Sequence, residues 1–136
     1  EMRFGLEDTH LYKTVFFLTV GTGIGSAIFV DGHLLPNTEL GHLEVRGKEA
    51  EHRASDAVRR QKKLSWKRWG KRFTEVLNTY ENLINPDLFI IGGGISSKFE
   101  SYAEYLKIQT KILPAELENL AGIIGAAMAA KEAELP

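Results

Sequence analysis

Cysteine is absent from this chain of 136 residues. With it go disulfides and any cysteine-held zinc or iron centre, and the composition fits a reducing compartment. No apolar run approaches the roughly 18 residues that a membrane-spanning helix needs. The first ten residues, EMRFGLEDTH, are charged and lack the apolar core of a secretory signal. Position 1 is Glu rather than a start methionine, so a fragment of a longer protein is expected. Net charge is only -1, which implies no global attraction to polyanions or membranes. Internal repeats and low-complexity segments are missing too. What remains is 43% hydrophobic and 26% charged, the balance of one soluble globular domain over residues 1–136.

The most informative stretch is TVFFLTVGTGIGSAIFVDG, residues 14–32. Two apolar runs, 15–20 and 27–30, flank glycines at 21, 23 and 25. Valine, isoleucine, threonine and phenylalanine favour strands, and the closing Asp31-Gly32 favours a tight hairpin turn. The glycines are therefore expected to turn the chain between two antiparallel strands. Glycine at alternate positions lets backbone N–H groups approach a ligand, and successive N–H groups make a concave anion site. The dinucleotide fingerprint fails, because strand rather than helix follows Gly25. A Walker pattern fails as well, since no Gly-Lys-Ser/Thr is present. A phosphate loop and a ligand-free glycine turn both remain open on these residues.

Further along, His33, Leu34 and Leu35 extend the strand pattern, and Pro36-Asn37-Thr38 opens a loop to about residue 48. Residues 49–63 read as helix-like but highly charged. Ser65 is the expected N-cap of a long helix over residues 66–84, with Trp66, Trp69, Phe73, Val76, Leu77, Tyr80, Leu83 and Ile84 on its buried face. Asn85-Pro86 ends it. DLFII, residues 87–91, reads as a buried strand that runs into Gly92, Gly93 and Gly94. A helix carrying Phe99, Tyr102, Ala103 and Leu106 follows, then a short strand at 111–113. Residues 1–5 and about 117–134 read as further helices. This order predicts α/β architecture with a mixed sheet.

Three features carry chemistry. Strand, triple glycine and helix start make a second anion position, since a helix N-terminus presents free N–H groups. Thr38-Glu39-Leu40-Gly41-His42 places a carboxylate and an imidazole three apart, able to bond vicinal hydroxyls of a sugar; a polar surface loop is the plainer reading. Neither a metal site nor a nucleophilic serine is supported, because Glu39 and His42 lack a third ligand and no G-x-S-x-G elbow occurs. The third feature is charge. Arg53, Arg59, Arg60, Lys62, Lys63, Lys67, Arg68, Lys71 and Arg72 face one acid, Asp56, between positions 53 and 72. That is either a solvated helix face or a track for a polyanion.

LTVGTGIGSAIFVDG, ELGH, LFIIGGGIS and AGIIGAAMAA, in this order and spacing, resemble the C-terminal part of the ROK-family sugar kinases, and within them the polyphosphate glucokinase branch. The resemblance runs through nearly the whole chain. It implies an actin-like, ribonuclease-H-like lobe of a two-lobed enzyme that moves a phosphoryl group from polyphosphate or ATP to the 6-hydroxyl of glucose. It implies that Gly21, Thr22, Gly23 and Gly25 form a phosphate loop and that Gly92, Gly93 and Gly94 lie at the nucleotide. Glu39, His42 and Glu51 match residues that hold sugar hydroxyls. Arg59, Arg60, Lys62, Lys63, Lys67 and Lys71 become a possible polyphosphate track.

The resemblance further implies Mg²⁺ accompanying the donor, a cytoplasmic homodimer, and neither membrane nor nucleic acid as partner. Most ROK members carry a cysteine-rich zinc loop after Glu-x-Gly-His; residues 43–52, LEVRGKEAEH, hold no cysteine, so no zinc is expected. The family's first phosphate loop and catalytic aspartate fall before the stretch matched here. The catalytic base is therefore expected upstream of Glu1, and the isolated chain is expected to be inactive. A non-catalytic sugar- or polyanion-binding lobe, or a fragment of a ROK-type regulator, stays open beside the kinase reading.

Overall fold

The computed structural model describes residues 12–36 and 38–115. The helices expected at 1–5 and about 117–134, and the AGIIGAAMAA motif, lie outside the described residues. Five strands form one sheet: β1 (Thr14–Val20), β2 (Ile24–Val30), β3 (His33–Leu35), β6 (Leu88–Gly92) and β7 (Lys111–Pro114), in the order β3-β2-β1-β6-β7. β1, β2 and β3 run antiparallel in sequence, whereas β1 with β6 and β6 with β7 are parallel. The sheet is mixed, as the element order predicts.

β1 is buried on both faces, which explains its unbroken apolar run. Its residues still alternate. Phe16, Leu18 and Val20 join Phe89 and Ile91 in the larger core, while Val15 and Phe17 join Leu88 and Ile90 on the other face. β2 meets β3 through Asp31 and Gly32, both with positive φ (52° and 80°), the two-residue turn that an Asp-Gly pair favours.

The larger core is closed by a 19-residue helix, Trp66–Ile84. Its cap is the expected one: the Ser65 hydroxyl accepts from the Arg68 N–H at 3.1 Å. At the other end Asn85 adopts the left-handed conformation, and Pro86 follows. Trp69, Phe73, Val76, Leu77 and Tyr80 are fully buried. The Phe16 and Tyr80 rings stack at 4.8 Å, as do Trp69 and Phe73. Trp66 is half-buried beside Trp69 and Tyr102. Leu83 departs from expectation: it is 62% exposed. It lies in the final turn, where only Ile84 still packs in part against the core.

Three other expectations need correction. Residues 36–48 are not an irregular loop. They contain a 3₁₀ turn (Leu40–His42) and the strands β4 (Glu44–Val45) and β5 (Lys48–Glu49), which pair across Arg46 and Gly47. The charged segment 49–63 is two helices, α1 (Ala50–Ala54) and α2 (Asp56–Gln61). Ser55 breaks it: its backbone is extended, and its hydroxyl caps α2 by accepting from the Val58 N–H at 3.2 Å. Counting the long helix as α3, the segment after Gly93 is also no single helix. It is a 3₁₀ turn (Gly94–Lys98), α4 (Phe99–Tyr102) and another 3₁₀ turn (Ala103–Tyr105). The Tyr102 hydroxyl donates to the Ile95 carbonyl at 3.2 Å and holds this path tight.

Two substitutions on α3 test the burial pattern. Leu77→Ala should cost about 2–5 kcal/mol of unfolding free energy, whereas Leu83→Ala should stay within about 0.5 kcal/mol. Urea unfolding of the two variants decides whether the last turn contributes to the core.

Candidate functional site

β1 ends at Val20 and β2 begins at Ile24, directly opposite, so residues 21–23 are the turn itself. Gly25 is therefore not in the loop. It belongs to β2, paired with Thr19, and a Cβ there would meet Thr19 Oγ1 at 2.5 Å. Thr19 is also level with Gly92 across the parallel pair. Thr19 thus stands in a row Gly25–Thr19–Gly92, its hydroxyl on the Gly25 side and its methyl toward Gly92. The loop is tied at both ends: the Gly21 N–H donates to the Gly23 carbonyl at 3.0 Å, and the Gly21 carbonyl accepts from the Ala57 N–H at 3.1 Å. The N–H groups of Thr22 and Gly23 donate to no described residue. They are the donors left for an anion.

A cleft of about 330 Å³ opens over this loop, lined by Thr19, the residues from Val20 to Gly25, Glu51 and Gly93. Gly93 arrives because β6 lies parallel to β1 and leaves the sheet at the same end. Its φ is 81°, and an added Cβ would come within 2.9 Å of the Val20 carbonyl oxygen. Gly92 and Gly94 do not line the cleft. Gly92 is a strand residue packed under the Phe17 ring, and Gly94 opens a five-residue 3₁₀ turn. That turn is not the full helix N-terminus expected for an anion there.

Glu51, on α1, reaches the loop: a Cβ on Gly23 would lie 3.2 Å from both of its carboxylate oxygens. Two parts of the expected site, the glycine turn and one of the glutamates expected to hold a sugar, are thereby brought together. A carboxylate beside free N–H groups repels a bare anion but accepts from hydroxyls, so the cleft has a donor-lined side and an acceptor side.

Glu39 and His42 stand apart from this lining, on a loop docked to the start of β2. Gly41 is indispensable there, since a Cβ would be 2.0 Å from the Ile24 carbonyl oxygen. The Ser26 hydroxyl donates to Thr38 Oγ1 at 3.0 Å and accepts from the Leu40 N–H at 3.2 Å. From below, the Tyr80 hydroxyl donates to the Leu40 carbonyl at 2.7 Å. His42 Nδ1–H donates to Glu49 Oε1 at 2.6 Å, a carboxylate being unable to donate, while Nε2 lies 3.8 Å from Glu39 Oε2. The Glu49 hydrogen bond raises the His42 pKa above its ordinary value. Slight burial opposes this, and the charges of Glu49, Glu51 and Glu39 add to it. Glu51 is thus within electrostatic reach of His42.

Thr19 and Glu49 escaped the sequence reading. Thr19 had one signal, a polar residue ending an apolar strand before glycines. Glu49 had none, because its partner His42 is reached only through the β4–β5 hairpin; it also holds His52 Nδ1 at 3.3 Å. The basic stretch does not form one stripe. Asp56 pairs with Arg59 and Arg60, each at 3.0 Å, and Arg59 lies 4.0 Å over the Trp66 ring. Arg53 turns inward to Glu75 at 2.5 Å. Lys62, Lys63 and Lys67 are exposed, and Lys71 lines a separate cavity.

Mg²⁺ asks for several oxygen donors. Among the described residues no three His, Cys, Asp or Glu gather, and Glu51 is the one carboxylate lining the cleft. These residues do not form a cage for the ion. No helix among them is long and apolar enough to cross a membrane.

No family model matches the chain. It is 54% identical over 115 residues to the polyphosphate glucokinase of Mycobacterium tuberculosis (strain CDC 1551 / Oshkosh), covering 85% of this chain and 43% of that protein. To the polyphosphate glucokinase of Mycobacterium leprae (strain TN) it is 53% identical, covering 85% of this chain and 36% of that one. The chain thus spans less than half the length of these relatives. The inorganic polyphosphate/ATP-glucomannokinase of Arthrobacter sp. strain KM superposes with a TM-score of 0.83 at 47% identity, covering 88% of this chain and 47% of that one. A ROK family glucokinase from Streptomyces griseus, solved with glucose and AMPPNP, shares the fold at 21% identity and TM-score 0.68, over 89% of this chain and 61% of that one. The resemblance carried by the motifs is borne out. The chain is a relative of the polyphosphate glucokinases, and its mixed sheet with flanking helices is part of the actin-like fold of ROK sugar kinases.

The His42 geometry has a pH signature. Glu49→Gln should lower the His42 pKa toward its ordinary value of about 6.5, read by NMR titration of the imidazole. In the parent chain the raised pKa means that the His42–Glu49 pairing stabilises fully below about pH 6.5 and is lost as pH rises through the folded pKa. An unchanged titration in Glu49→Gln would show that the pair is not formed in solution.

Proposed function

We propose that this chain is the sugar- and donor-binding lobe of a glucokinase that uses polyphosphate, ATP or both. One observation carries the reading: the 21–23 turn, Gly93 and Glu51 share one cleft, with free N–H donors and a hydroxyl-accepting carboxylate side by side. Phosphoryl transfer needs that juxtaposition, because the donor's terminal phosphoryl and the acceptor hydroxyl must meet. The likeness to polyphosphate glucokinases supports the same substrates.

In this reading the Thr22 and Gly23 N–H groups hold the terminal phosphoryl oxygens. The Thr19 hydroxyl adds a donor on the cleft floor. Glu51 accepts from a sugar hydroxyl. His42, with its Nδ1 proton committed to Glu49, offers Nε2 to another, and Glu39 beside it accepts a third. α2 begins at the loop through the Ala57–Gly21 hydrogen bond, and Arg60, Lys62 and Lys63 lie along or just past it. We assign these, with Arg59 and Lys67, to guiding a polyphosphate donor away from the cleft. No aspartate lines the cleft among the described residues, so we place the base that takes the hydroxyl proton outside them. Mg²⁺, where the reaction uses it, would be carried on the donor phosphates, and no step here depends on it. We also propose a cytoplasmic homodimer on the strength of the likeness alone.

The regulator reading shares this fold: a ROK family transcriptional regulator superposes with a TM-score of 0.62 at 18% identity, which shows architecture alone. Residue-resolved NMR titration separates the readings. Glucose should shift the Glu51 and His42 signals, and ATP or tripolyphosphate those of Thr22 and Gly23. Glu51→Gln should weaken glucose binding tenfold or more, and Gly23→Val should do the same for the donor at the loop. Neither ligand moving these signals would overturn the assignment. Glucose phosphorylation by the chain itself should be undetectable; product would show that the base lies within it.

A further inference from the structure

Glu51 and the His42–Glu49 pair are carried by two pieces of chain that are poorly able to stand alone. α1 has five residues and no side-chain cap at its start; so short a helix does not persist without packing. The β4–β5 hairpin has two residues in each strand, and its pairing sets Glu44 directly opposite Glu49, like charge against like. Contacts outside both pieces must therefore fix them.

Val45, Ala50 and Ala54 are buried and anchor the two pieces to the core. The Ala50 N–H donates to the Leu43 carbonyl at 2.8 Å and closes the base of the hairpin. From α3, Trp69 Nε1–H donates to the Ala54 carbonyl at 3.0 Å and Arg72 to the Arg53 carbonyl at 3.3 Å. These bonds seat the backbone of α1 and do not reach the hairpin turn. Glu75, at the centre of α3, reaches both pieces. Its Oε1 accepts from Arg53 on α1 at 2.5 Å, and its Oε2 accepts from Arg46 in the hairpin turn at 2.8 Å.

Glu75 is held ionised. Burial alone would raise its pKa; the hydrogen bonds and charges of Arg53 and Arg46 outweigh that and bring it below the ordinary value. Arg53 depends on Glu75 in turn. Its side chain is 18% exposed, and its Nε is buried without a hydrogen-bond partner among the described residues. The cavity of about 280 Å³ that both arginines line has no other acid in its wall. Without Glu75, Arg53 would be a nearly buried cation facing no anion, and relief requires it to turn toward water. Glu51 and Arg53 are two apart on α1, roughly 200° around the helix axis. A rotation of α1 that exposes Arg53 therefore carries Glu51 off the glycine turn.

We propose that Glu75 is a positioning residue for the sugar side of the cleft: by holding Arg53 and Arg46 at once, it sets Glu51 and the His42–Glu49 pair at a fixed spacing without touching the sugar. The role rests on the reading of Glu51 and His42 as sugar-holding residues. It follows the general need of a binding site for side chains fixed before the ligand arrives.

NMR on the 136-residue chain tests it with Glu75→Gln and with Arg46→Gln, the latter at a side chain 69% exposed. Without ligand, Glu75→Gln should move the Glu51 carboxyl and His42 imidazole signals. Arg46→Gln should move the His42 signals and leave Glu51 in place. Glu75→Gln should raise the glucose Kd at least about fivefold, but no more than about twofold in a Glu51→Gln background, because a residue acting through Glu51 loses most of its effect once that carboxylate is gone. Tripolyphosphate affinity, read at Thr22 and Gly23, should be unchanged. Parent-like glucose affinity in Glu75→Gln, full additivity with Glu51→Gln, or equal loss of glucose and tripolyphosphate, the mark of a general loosening, would each overturn the role. If Glu75→Gln does not fold, Arg46→Gln decides, and unmoved His42 signals overturn it. A parent chain that binds no glucose would instead refute the reading of the cleft, and the ligand-free signals would still decide the role of Glu75.

Discussion

Parallel pairing of β1 with β6 is the constraint on which the site depends. The two strands run in register from Val15 beside Leu88 to Thr19 beside Gly92. Parallel neighbours leave a sheet at the same end, so two glycine turns about 70 residues apart in sequence come together. The crevice outside the carboxyl ends of parallel strands is where α/β sheets bind ligands. β1 is held there by burial on both faces, with Phe16 stacked on Tyr80 and Phe17 packed over Gly92. Shifting the β1–β6 register by one residue would turn Phe16, Leu18 and Val20 to the wrong face and part Thr19 from Gly92.

The glycines serve different purposes, and separating them sharpens the site. In the 21–23 turn they leave N–H groups accessible. Gly25 leaves room for the Thr19 hydroxyl, and Gly92 makes room for the Phe17 ring. Gly41 and Gly93 allow backbone to approach backbone, at Ile24 and at Val20. The Glu39–His42 loop is positioned almost wholly by such contacts and by Ser26, Thr38 and Tyr80. Its acidic and imidazole groups remain exposed while their backbone is fixed. This is the arrangement expected of side chains that meet a ligand rather than a core.

Charge is sorted by the short helices. Ser55 interrupts what would otherwise be one basic helix, and α1 then carries Glu51 on one side and Arg53 on the other. Asp56, buried at the start of α2, gathers Arg59 and Arg60. Glu75 gathers Arg46 and Arg53. A run of nine cations in sequence thus becomes two separate surfaces, one leaving the glycine turn and one enclosed between α1 and α3.

The sequence by itself determined the strands of the five-stranded sheet, the Asp31-Gly32 turn, the caps of α3 at Ser65 and Asn85, and the mixed α/β class. These follow from local chemistry: β-branched runs, glycine at positive φ, a hydroxyl free to accept an N–H. Its motifs also carried the family likeness, and with it the expectation that Glu51 meets a sugar; that Glu51 lies beside Gly23 came from the fold. Tertiary structure alone decided the rest. That Gly25 is strand and not loop depends on a partner, Thr19. That Gly93 but not Gly92 or Gly94 meets the cleft depends on β1. Glu49 became His42's partner through a hairpin of two-residue strands too short to announce themselves, and Arg53 left the basic stretch because Glu75, 22 residues away, claimed it. Propensity acts between neighbours in the chain, whereas a binding site is made of neighbours in space.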